Sequence, residues 1–364
     1  MEILQSAGTI LLFFGILGSL VLIHELGHFV AARLANVRVL EFGIGFPPRA
    51  RVVGQRGETL YTLNWLPIGG FVKLEGEDGD GAQDPRAFSA QPLWLRLVIL
   101  VAGVVMNVLL SFVIFTGIAL TGDPAMGVVA GKVQPESPAE AAGLTAGDML
   151  ISIDGRRYSA FGRATIVDDL RAGAGESVQL GVQRADGRVE ELTVTLRNAA
   201  DVAAGKGALG VEQLSAKLAN ATVQYEPGAA IRLGVERTGD AMLMVVDGLG
   251  QLVTAILTRP TEAPPAAGPV GIAIQIGDVF WTLGPIMTLY LAALLSANLA
   301  VFNILPIPPL DGGRMLMMII KALFGARVSL RLERLTYLVG FVFLFGFLIW
   351  VTGFDIIRQL GGQP

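Results

Sequence analysis

The chain has 364 residues, of which 52% are hydrophobic and 16% charged, and its formal net charge is −4 at pH 7. Soluble domains carry about 25% charged residues, so this composition excludes an ordinary soluble protein and predicts an integral membrane protein. A slightly acidic chain without a strongly basic block gives no indication of nucleic-acid binding. The absence of cysteine excludes disulfides and thiolate metal ligands.

The first apolar segment ends in the most informative motif of the chain. Ala7 to Ile23 is uncharged, and its helical pattern continues to about Leu34, which is long enough to cross a bilayer. The N-terminus lacks the positive region of a cleavable signal peptide, so we interpret the segment as a retained span. His24 and His28, the only histidines, form an H-E-x-x-H motif with Glu25 between them. On a helix both imidazoles share a face and can bind one metal ion, which predicts half of a zinc-protease site.

The rest of the chain alternates between polar and apolar segments. Residues 35–92 contain several arginines, glycines and short β-like runs at 37–42 and 59–63. Residues 126–198 have a soluble composition with alternating strands, which predicts a small β-rich domain outside the membrane. Further spans are predicted from about Trp94 to Leu120, Leu283 to Leu305 and Leu335 to Val351.

Charge predicts the topology. The segments after the first span and between the last two spans are both rich in arginine, so both should be cytoplasmic, and the β-rich domain and both termini should lie on the other side. Gly228 to Thr258 has helical periodicity but carries five charged residues, so it is either an amphipathic interfacial helix or a poor span. A crossing there would bring Asp311 to the wrong side from the histidines, so we favour four spans.

A third metal ligand has to be a carboxylate. Catalytic zinc takes three protein ligands and keeps one position for water, and the chain offers no further histidine or cysteine. The candidates near a span are Asp247, Asp278, Asp311 and Glu41. Asp311 stands out because it follows a proline-broken segment, and irregular backbone at membrane depth is tolerated only where it is buried or lines a wet cavity.

Two of these motifs together resemble those of a known family. His24-Glu-Leu-Gly-His28, together with Asn303-x-x-Pro-x-Pro-x-Leu-Asp311-Gly, resembles the site-2 protease family of intramembrane zinc metalloproteases, in particular its bacterial RseP type. The resemblance extends to Gly103-x-x-x-Asn107, Phe42-Gly-Ile-Gly-Phe46, Gly69-Gly-Phe-Val-Lys73 and Gly268-Pro-Val-Gly-Ile272. The segments Ser137–Leu144 and Gly147–Gly155 are similar to a PDZ domain, of which one is evident.

The resemblance implies a function and a role for each site residue. His24, His28 and Asp311 would bind one Zn²⁺, and Glu25 would be the general base. Asn303 would help to place the substrate backbone or the oxyanion. Asn107, a polar side chain in an apolar span, could reach the same cavity and is the second candidate for positioning the substrate. Residues 37–73 would offer a strand edge to an unwound substrate helix. The substrates would be single-pass membrane proteins of the anti-sigma-factor or signal-peptide-remnant type, in regulated intramembrane proteolysis at the bacterial inner membrane.

Two points remain open on the sequence alone. The PDZ domain could bind a peptide, with its groove expected near Met126 to Ala130, or it could only exclude bulky substrates. The alternative function is a non-proteolytic membrane scaffold that binds partners through this domain, although a scaffold has no need of Glu25.

The predicted fold class is a polytopic α-helical membrane protein of about four transmembrane helices, with an inserted extracytoplasmic PDZ domain and a membrane-associated β-hairpin loop. The expected segments are a first transmembrane helix (1–35), a cytoplasmic β-loop (36–92), a second transmembrane helix (93–121), the PDZ domain (122–200), a linker with an amphipathic interfacial helix (201–282), a third transmembrane helix (283–312), a cytoplasmic basic segment (313–334) and a fourth transmembrane helix (335–353).

Overall fold

A computed structural model describes residues 2–77, 84–162, 164–259, 262–325 and 330–361. Parts of the predicted 36–92 loop and of the predicted basic segment, residues 78–83 and 326–329, lie outside the described residues. The chain divides into two compact units, one made of Met1–Phe115 with Leu233–Pro364 and the other of Thr116–Arg232.

The described residues form ten α-helices and ten strands. The helices are α1 (Glu2–Leu34), α2 (Leu93–Thr121), α3 (Pro138–Ala141), α4 (Ile166–Ala172), α5 (Ala199–Ala203), α6 (Pro227–Thr258), α7 (Pro269–Leu283), α8 (Pro285–Ile304), α9 (Asp311–Phe324) and α10 (Leu330–Gln359). The strands are β1 (Val39–Arg56), β2 (Thr59–Leu74), β3 (Asp123–Val129), β4 (Lys132–Val133), β5 (Met149–Ile153), β6 (Arg156–Ser159), β7 (Ser177–Gln183), β8 (Val189–Thr195), β9 (Val211–Glu212) and β10 (Ser215–Val223).

Long apolar helices dominate the first unit. Among the described residues, 5 helices are long and apolar enough to cross a membrane by length and composition: Gln5–Leu34, Leu93–Thr121, Pro227–Thr258, Pro285–Ile304 and Arg334–Gln359. The chain is thus a polytopic helical membrane protein, as its composition predicts. The additional candidate is α6, whose alternatives the sequence left open, so the count of four spans stays a prediction.

A long hairpin follows α1. β1 and β2 pair antiparallel, with Val39 opposite Leu74 at the base and Arg56 opposite Thr59 at the tip. Several register shifts interrupt the ladder, as expected for strands that contain Gly-Ile-Gly and Pro-Pro. At the base, Val37, Val39 and Leu74 are buried in one apolar cluster with Ile99 and Leu100 of α2. This packing fixes the hairpin beside the first two helices.

A glycine separates α8, which corresponds to the predicted span from Leu283 to Leu305, from α7, which lies in the predicted 201–282 linker. Gly284 has φ 88°, a conformation that favours glycine, and it ends α7 immediately before Pro285 begins α8. The N-terminus of α7 is capped by the buried carboxylate of Asp355 in α10, which accepts the N–H groups of Gly268 (3.3 Å) and Gly271 (2.8 Å). At the other end of α7, Trp281 Nε1 donates to Thr9 Oγ1 of α1 at 3.1 Å.

The second unit is built on a six-stranded sheet with strand order β10-β3-β6-β5-β7-β8. Its core includes Leu150, Leu180 and Val182 from the sheet, together with Ile166 and Leu170 from α4. β3 pairs with β10 on one side and with β5 and β6 on the other. The expectation of a peptide-binding edge near Met126 to Ala130 is therefore wrong, because the backbone groups of an interior strand are already paired.

Candidate metal centre

Two imidazoles and one carboxylate meet in the first unit. His24 Nε2 lies 2.9 Å from Asp311 Oδ2, His28 Nε2 lies 3.2 Å from the same oxygen, and the two Nε2 atoms are 3.1 Å apart. His24 and His28 are 5% and 7% exposed. Asp311 is the first residue of α9, directly after the break that follows α8.

The size of this triangle suits a zinc ion. Zinc binds imidazole nitrogen and carboxylate oxygen at about 2.0–2.1 Å with tetrahedral geometry, which puts neighbouring ligand atoms about 3.3 Å apart. The three atoms of the triangle lie 2.9–3.2 Å apart and face one another. Two nitrogen lone pairs and a carboxylate repel one another at such distances, and a cation between them makes the arrangement favourable. The three residues therefore fit the metal. Three protein ligands also leave the fourth position that a catalytic site requires.

Glu25 lies beside this triangle. Carboxylate and imidazole donor atoms of His24, Glu25 and His28 are all within 4.8 Å of one another. Glu25 is therefore close enough to act on a molecule held at the metal position, and it is less buried than either histidine. The local helix explains the arrangement, because residues i and i+4 of α1 point the same way and residue i+1 lies at the edge of that face.

One face of α2 packs against the two histidine rings. Ile99, Gly103 and Asn107 are spaced four apart and so line a single stripe of the helix. The Ile99 carbonyl accepts a hydrogen bond from His28 Nδ1 at 2.8 Å, and Asn107 Nδ2 lies 3.3 Å from His24 Nδ1. A Cβ on Gly103 would be 2.5 Å from His28 Nε2 and 2.8 Å from His24 Cε1. Only glycine leaves room for both rings.

The hairpin passes directly over the other side of α1. A Cβ on Gly70 of β2 would be 2.8 Å from the Gly43 carbonyl oxygen, 3.2 Å from Leu22 and 3.9 Å from Glu25 Cγ. The glycine doublet at 69–70 thus brings β2 against the histidine motif. Exposed apolar side chains on this hairpin include Phe46 (43% exposed), Trp65 (71%) and Leu66 (50%).

An ion pair links the end of the hairpin to the helix that carries Asp311. Arg314, one turn into α9, donates to Glu77, which also accepts the backbone N–H of Leu74 at 3.2 Å. The side chains of Arg314 and Glu77 are 27% and 14% exposed. This pair was not predicted from the sequence; its signal is an arginine next to a broken membrane helix.

The other predicted residues lie elsewhere. Asp247 and Asp278 are exposed on α6 and α7. Glu41 is bound by Arg49 at 2.5 and 3.2 Å and by Thr62 at 2.7 Å, so its charge is already compensated within the hairpin. Of the four carboxylates considered, Asp311 is the one that contacts the imidazoles. Asn303 is half-buried near the end of α8, where its side chain makes no hydrogen bond among the described residues.

The comparisons with known proteins agree with this geometry. A model of Peptidase family M50 matches residues 12–347. The chain belongs to this family. It is similar to the zinc metalloprotease RasP of Geobacillus kaustophilus, with 30% identity over 97% of this chain and 98% of the relative. It is also similar to a candidate zinc metalloprotease of Clostridium perfringens, with 34% identity over 93% and 96% of the two chains, and to one of Nostoc sp., with 32% identity over 93% of each.

These matches establish the enzyme class. The chain is a zinc metalloprotease of the site-2 protease family with a zinc cofactor and a multi-pass membrane architecture. The recognition drawn from the two separated motifs is confirmed.

A separate cavity lies in the second unit. It has a volume of about 160 Å³, and its lining includes Val128, Ile166, Leu170 and the loop Gly207–Gly210. The carbonyls of Ala208, Leu209 and Gly210 accept N–H groups of Arg197, Ala139 and Gln134. The N–H groups of those three loop residues donate to no backbone or side-chain acceptor among the described residues.

Proposed function

We propose that this protein is an intramembrane endopeptidase that hydrolyses a peptide bond in or near the transmembrane segment of single-pass membrane proteins. The observation that carries the proposal is the triangle of His24, His28 and Asp311, which joins an apolar helix long enough to span a bilayer to the break after another. Ionisable groups in such segments are costly unless they serve a site, which supports a function within the membrane.

The residues divide the chemistry between them. His24, His28 and Asp311 are the proposed zinc ligands; bound zinc supplies Lewis-acid polarisation of the scissile carbonyl and activation of a water molecule. Glu25 takes a proton from the attacking water and delivers it to the leaving amide nitrogen, as its distance of at most 4.8 Å from the imidazole donor atoms allows. Asn303, at the end of α8, is proposed to hold the substrate backbone or the oxyanion.

The hairpin is proposed to bind the substrate. A peptide bond inside a helix is not accessible to attack, so the substrate has to unwind, and an extended chain can then pair with a strand edge. The close approach of Gly70 in β2 to Glu25 supports this role, because a chain paired along the hairpin would run past the general base. The exposed apolar side chains of the hairpin suit a membrane-derived substrate.

The proposed setting is the bacterial inner membrane, with the active site toward the cytoplasm and the second unit and both termini outside. The arginine-rich segment after α1 and the basic segment at 313–334, between the last two predicted spans, support this orientation. Substrates of the anti-sigma-factor or signal-peptide-remnant type would place the enzyme in regulated intramembrane proteolysis.

The second unit is proposed to be a PDZ domain that binds the C-terminal end of a peptide. Its cavity is large enough for one apolar side chain, and the free N–H groups of Ala208 to Gly210 can accept a terminal carboxylate. The alternative of a non-proteolytic scaffold receives no support from the first unit, since the family is proteolytic and Glu25 is retained.

A Glu25→Gln variant tests the proposed mechanism. We expect cleavage of a tagged single-span substrate to fall by about 10²-fold or more, because general-base catalysis is lost, while the purified protein keeps its zinc. Glu191→Gln, an exposed carboxylate in the second unit, is the control and should cleave normally. Undiminished cleavage by Glu25→Gln would contradict the mechanism, and a wild-type protein without zinc would favour the scaffold.

A further inference from the structure

The Nδ1 atoms of the two histidines, which point away from the Nε2 triangle, have different partners. His28 Nδ1 faces the Ile99 carbonyl at 2.8 Å. His24 Nδ1 faces the side-chain amide nitrogen of Asn107 at 3.3 Å. Both partners belong to α2, and the side chains of Ile99 and Asn107 are fully buried.

Metal binding decides which atom belongs at each Nδ1. A neutral imidazole that binds a metal through Nε2 carries its proton on Nδ1, so Nδ1 is a hydrogen-bond donor. The Ile99 carbonyl is the acceptor that His28 needs. The Asn107 amide nitrogen is itself a donor, so two donors oppose each other at His24, and Asn107 Oδ1 is buried without a partner.

A half-turn of the amide removes both faults. The oxygen and nitrogen of an Asn side chain have almost the same shape, and their assignment has to follow the hydrogen-bond network. With the two atoms exchanged, Oδ1 accepts His24 Nδ1–H and is no longer orphaned. Ser111 lies one turn further along the same face of α2 with an unpartnered buried hydroxyl, so this face also offers an acceptor to the amide nitrogen.

The position of Asn107 suits a supporting role. Its backbone carbonyl accepts Ser296 Oγ of α8 at 2.8 Å, so two helices hold it in place. Nδ1 and Nε2 lie on different sides of the imidazole ring, and Asn107 therefore contacts His24 on the side away from Asp311. A fully buried side chain behind the ring does not suit the contact with substrate that was expected of a polar residue in this span.

We propose that Asn107 is a positioning residue whose Oδ1 accepts the Nδ1–H of His24, fixing the tautomer and the ring orientation that present Nε2 to zinc. The inference rests on the proposed zinc ligation by His24. Groups that hold a ligating histidine in this way typically contribute 10–100-fold to metal affinity.

The test measures zinc affinity of the purified full-length protein by competition with a chromogenic chelator. Asn107→Leu keeps the approximate volume and removes the acceptor, so we expect about 10–100-fold weaker zinc binding. Asn107→Asp supplies an acceptor oxygen in either orientation and should bind zinc within a few-fold of wild type. Thr116→Val, which removes another unpartnered buried hydroxyl further along α2, is the matched control and should leave zinc affinity unchanged.

The outcomes separate the inference from the proposed function. Weak zinc binding by Asn107→Leu with rescue by Asn107→Asp supports the inference. Wild-type affinity in Asn107→Leu, or equal loss in the Leu and Asp variants, overturns it and leaves zinc ligation intact. Absence of zinc from the wild-type protein would instead overturn the proposed metal centre. Thermal unfolding of each variant shows whether a loss reflects misfolding, in which case the Asp variant alone decides.

Discussion

At the scale of single residues, the candidate metal centre depends on the absence of a side chain at Gly103 of α2. Gly103 lies between the contacts to His28 and His24, and the imidazoles occupy the volume where its side chain would be. Interiors are close-packed, so neither ring can move away without breaking its contact to Ile99 or Asp311. The glycine is therefore a steric requirement of the site.

Gly103→Ala should damage the metal centre specifically. The added methyl would lie 2.5 Å from His28 Nε2, so we expect zinc affinity to fall by about 10-fold or more through displacement of the rings. Chelator competition and substrate cleavage measure the effect. Gly117→Ala on the same helix is the control, because its methyl would meet no atom within 4 Å. A Gly103→Ala protein with normal zinc affinity would show that the rings have room to adjust.

Part of the site could be predicted from the sequence and part could not. The histidine census and the proline break before Asp311 indicate the proposed zinc ligands, because metal chemistry restricts which residue types can serve. The Ile99 carbonyl left no signal, since every residue carries the same backbone acceptor. The role proposed for Asn107 could not be predicted either, because a polar residue on an apolar helix can face a substrate, a ligand or a neighbouring helix.

At the scale of elements, β1 and β2 show how pairing overrides local pattern. The sequence indicated only short runs at 37–42 and 59–63, because Gly43, Gly45 and the Pro47-Pro48 pair interrupt the alternation. In the structure β1 has 18 residues and β2 has 16. Each strand supplies the other's hydrogen-bond partners, so residues of low strand propensity still adopt the strand conformation when their neighbours are paired.

The cavity of the second unit should bind one chain end. We expect the full-length protein to bind a fluorescent peptide with an apolar C-terminal residue, and C-terminal amidation to weaken binding about 10-fold or more, because the N–H groups of Ala208 to Gly210 lose their carboxylate. Val167→Trp, which fills the cavity from its lining, should abolish binding. Val189→Trp, at an exposed site on β8, should not.

Fluorescence anisotropy measures these affinities. Equal binding of the free and amidated peptides would contradict carboxylate capture. Absence of peptide binding by the wild type would favour a role for the second unit in excluding bulky substrates.

At the scale of the molecule, α7 helps to decide how many helices cross the membrane. Its last turns contact Thr9, and its first residues contact Asp355. Thr9 is 15 residues from His24 along α1, and Asp355 is 15 residues from Gly340, which packs on Pro308 near the metal centre. At 1.5 Å per residue, each separation corresponds to about 22 Å along a straight helix. In the proposed topology, both ends of α7 would therefore lie on the outer side of the membrane.

The position of α7 bears on α6. Thr258 and Gly268 are ten residues apart, and a fully extended chain of that length spans about 33–36 Å. If α6 crossed the membrane, this segment would have to return across it as nearly extended backbone, which lipid does not tolerate. An α6 that stays on the side of α7 satisfies the chain, which supports four spans.

Single-cysteine labelling tests this topology without background, because the native chain has no cysteine. We expect an impermeant maleimide to label Thr258→Cys in intact cells, as it labels Glu191→Cys in the second unit. Arg51→Cys in the hairpin should react only after permeabilisation. Protection of Thr258→Cys in intact cells, with labelling after permeabilisation, would show that α6 crosses and that four spans is wrong.

His28 and His24 differ in how easily a mutation can remove the group that contacts their Nδ1 atoms. No side-chain substitution at position 99 removes a backbone oxygen, so the partner of His28 survives any change that leaves α2 helical. The partner of His24 is a side chain and can be lost in a single codon change. Among changes that leave both histidines in place, a substitution can therefore remove the partner of His24 but not that of His28.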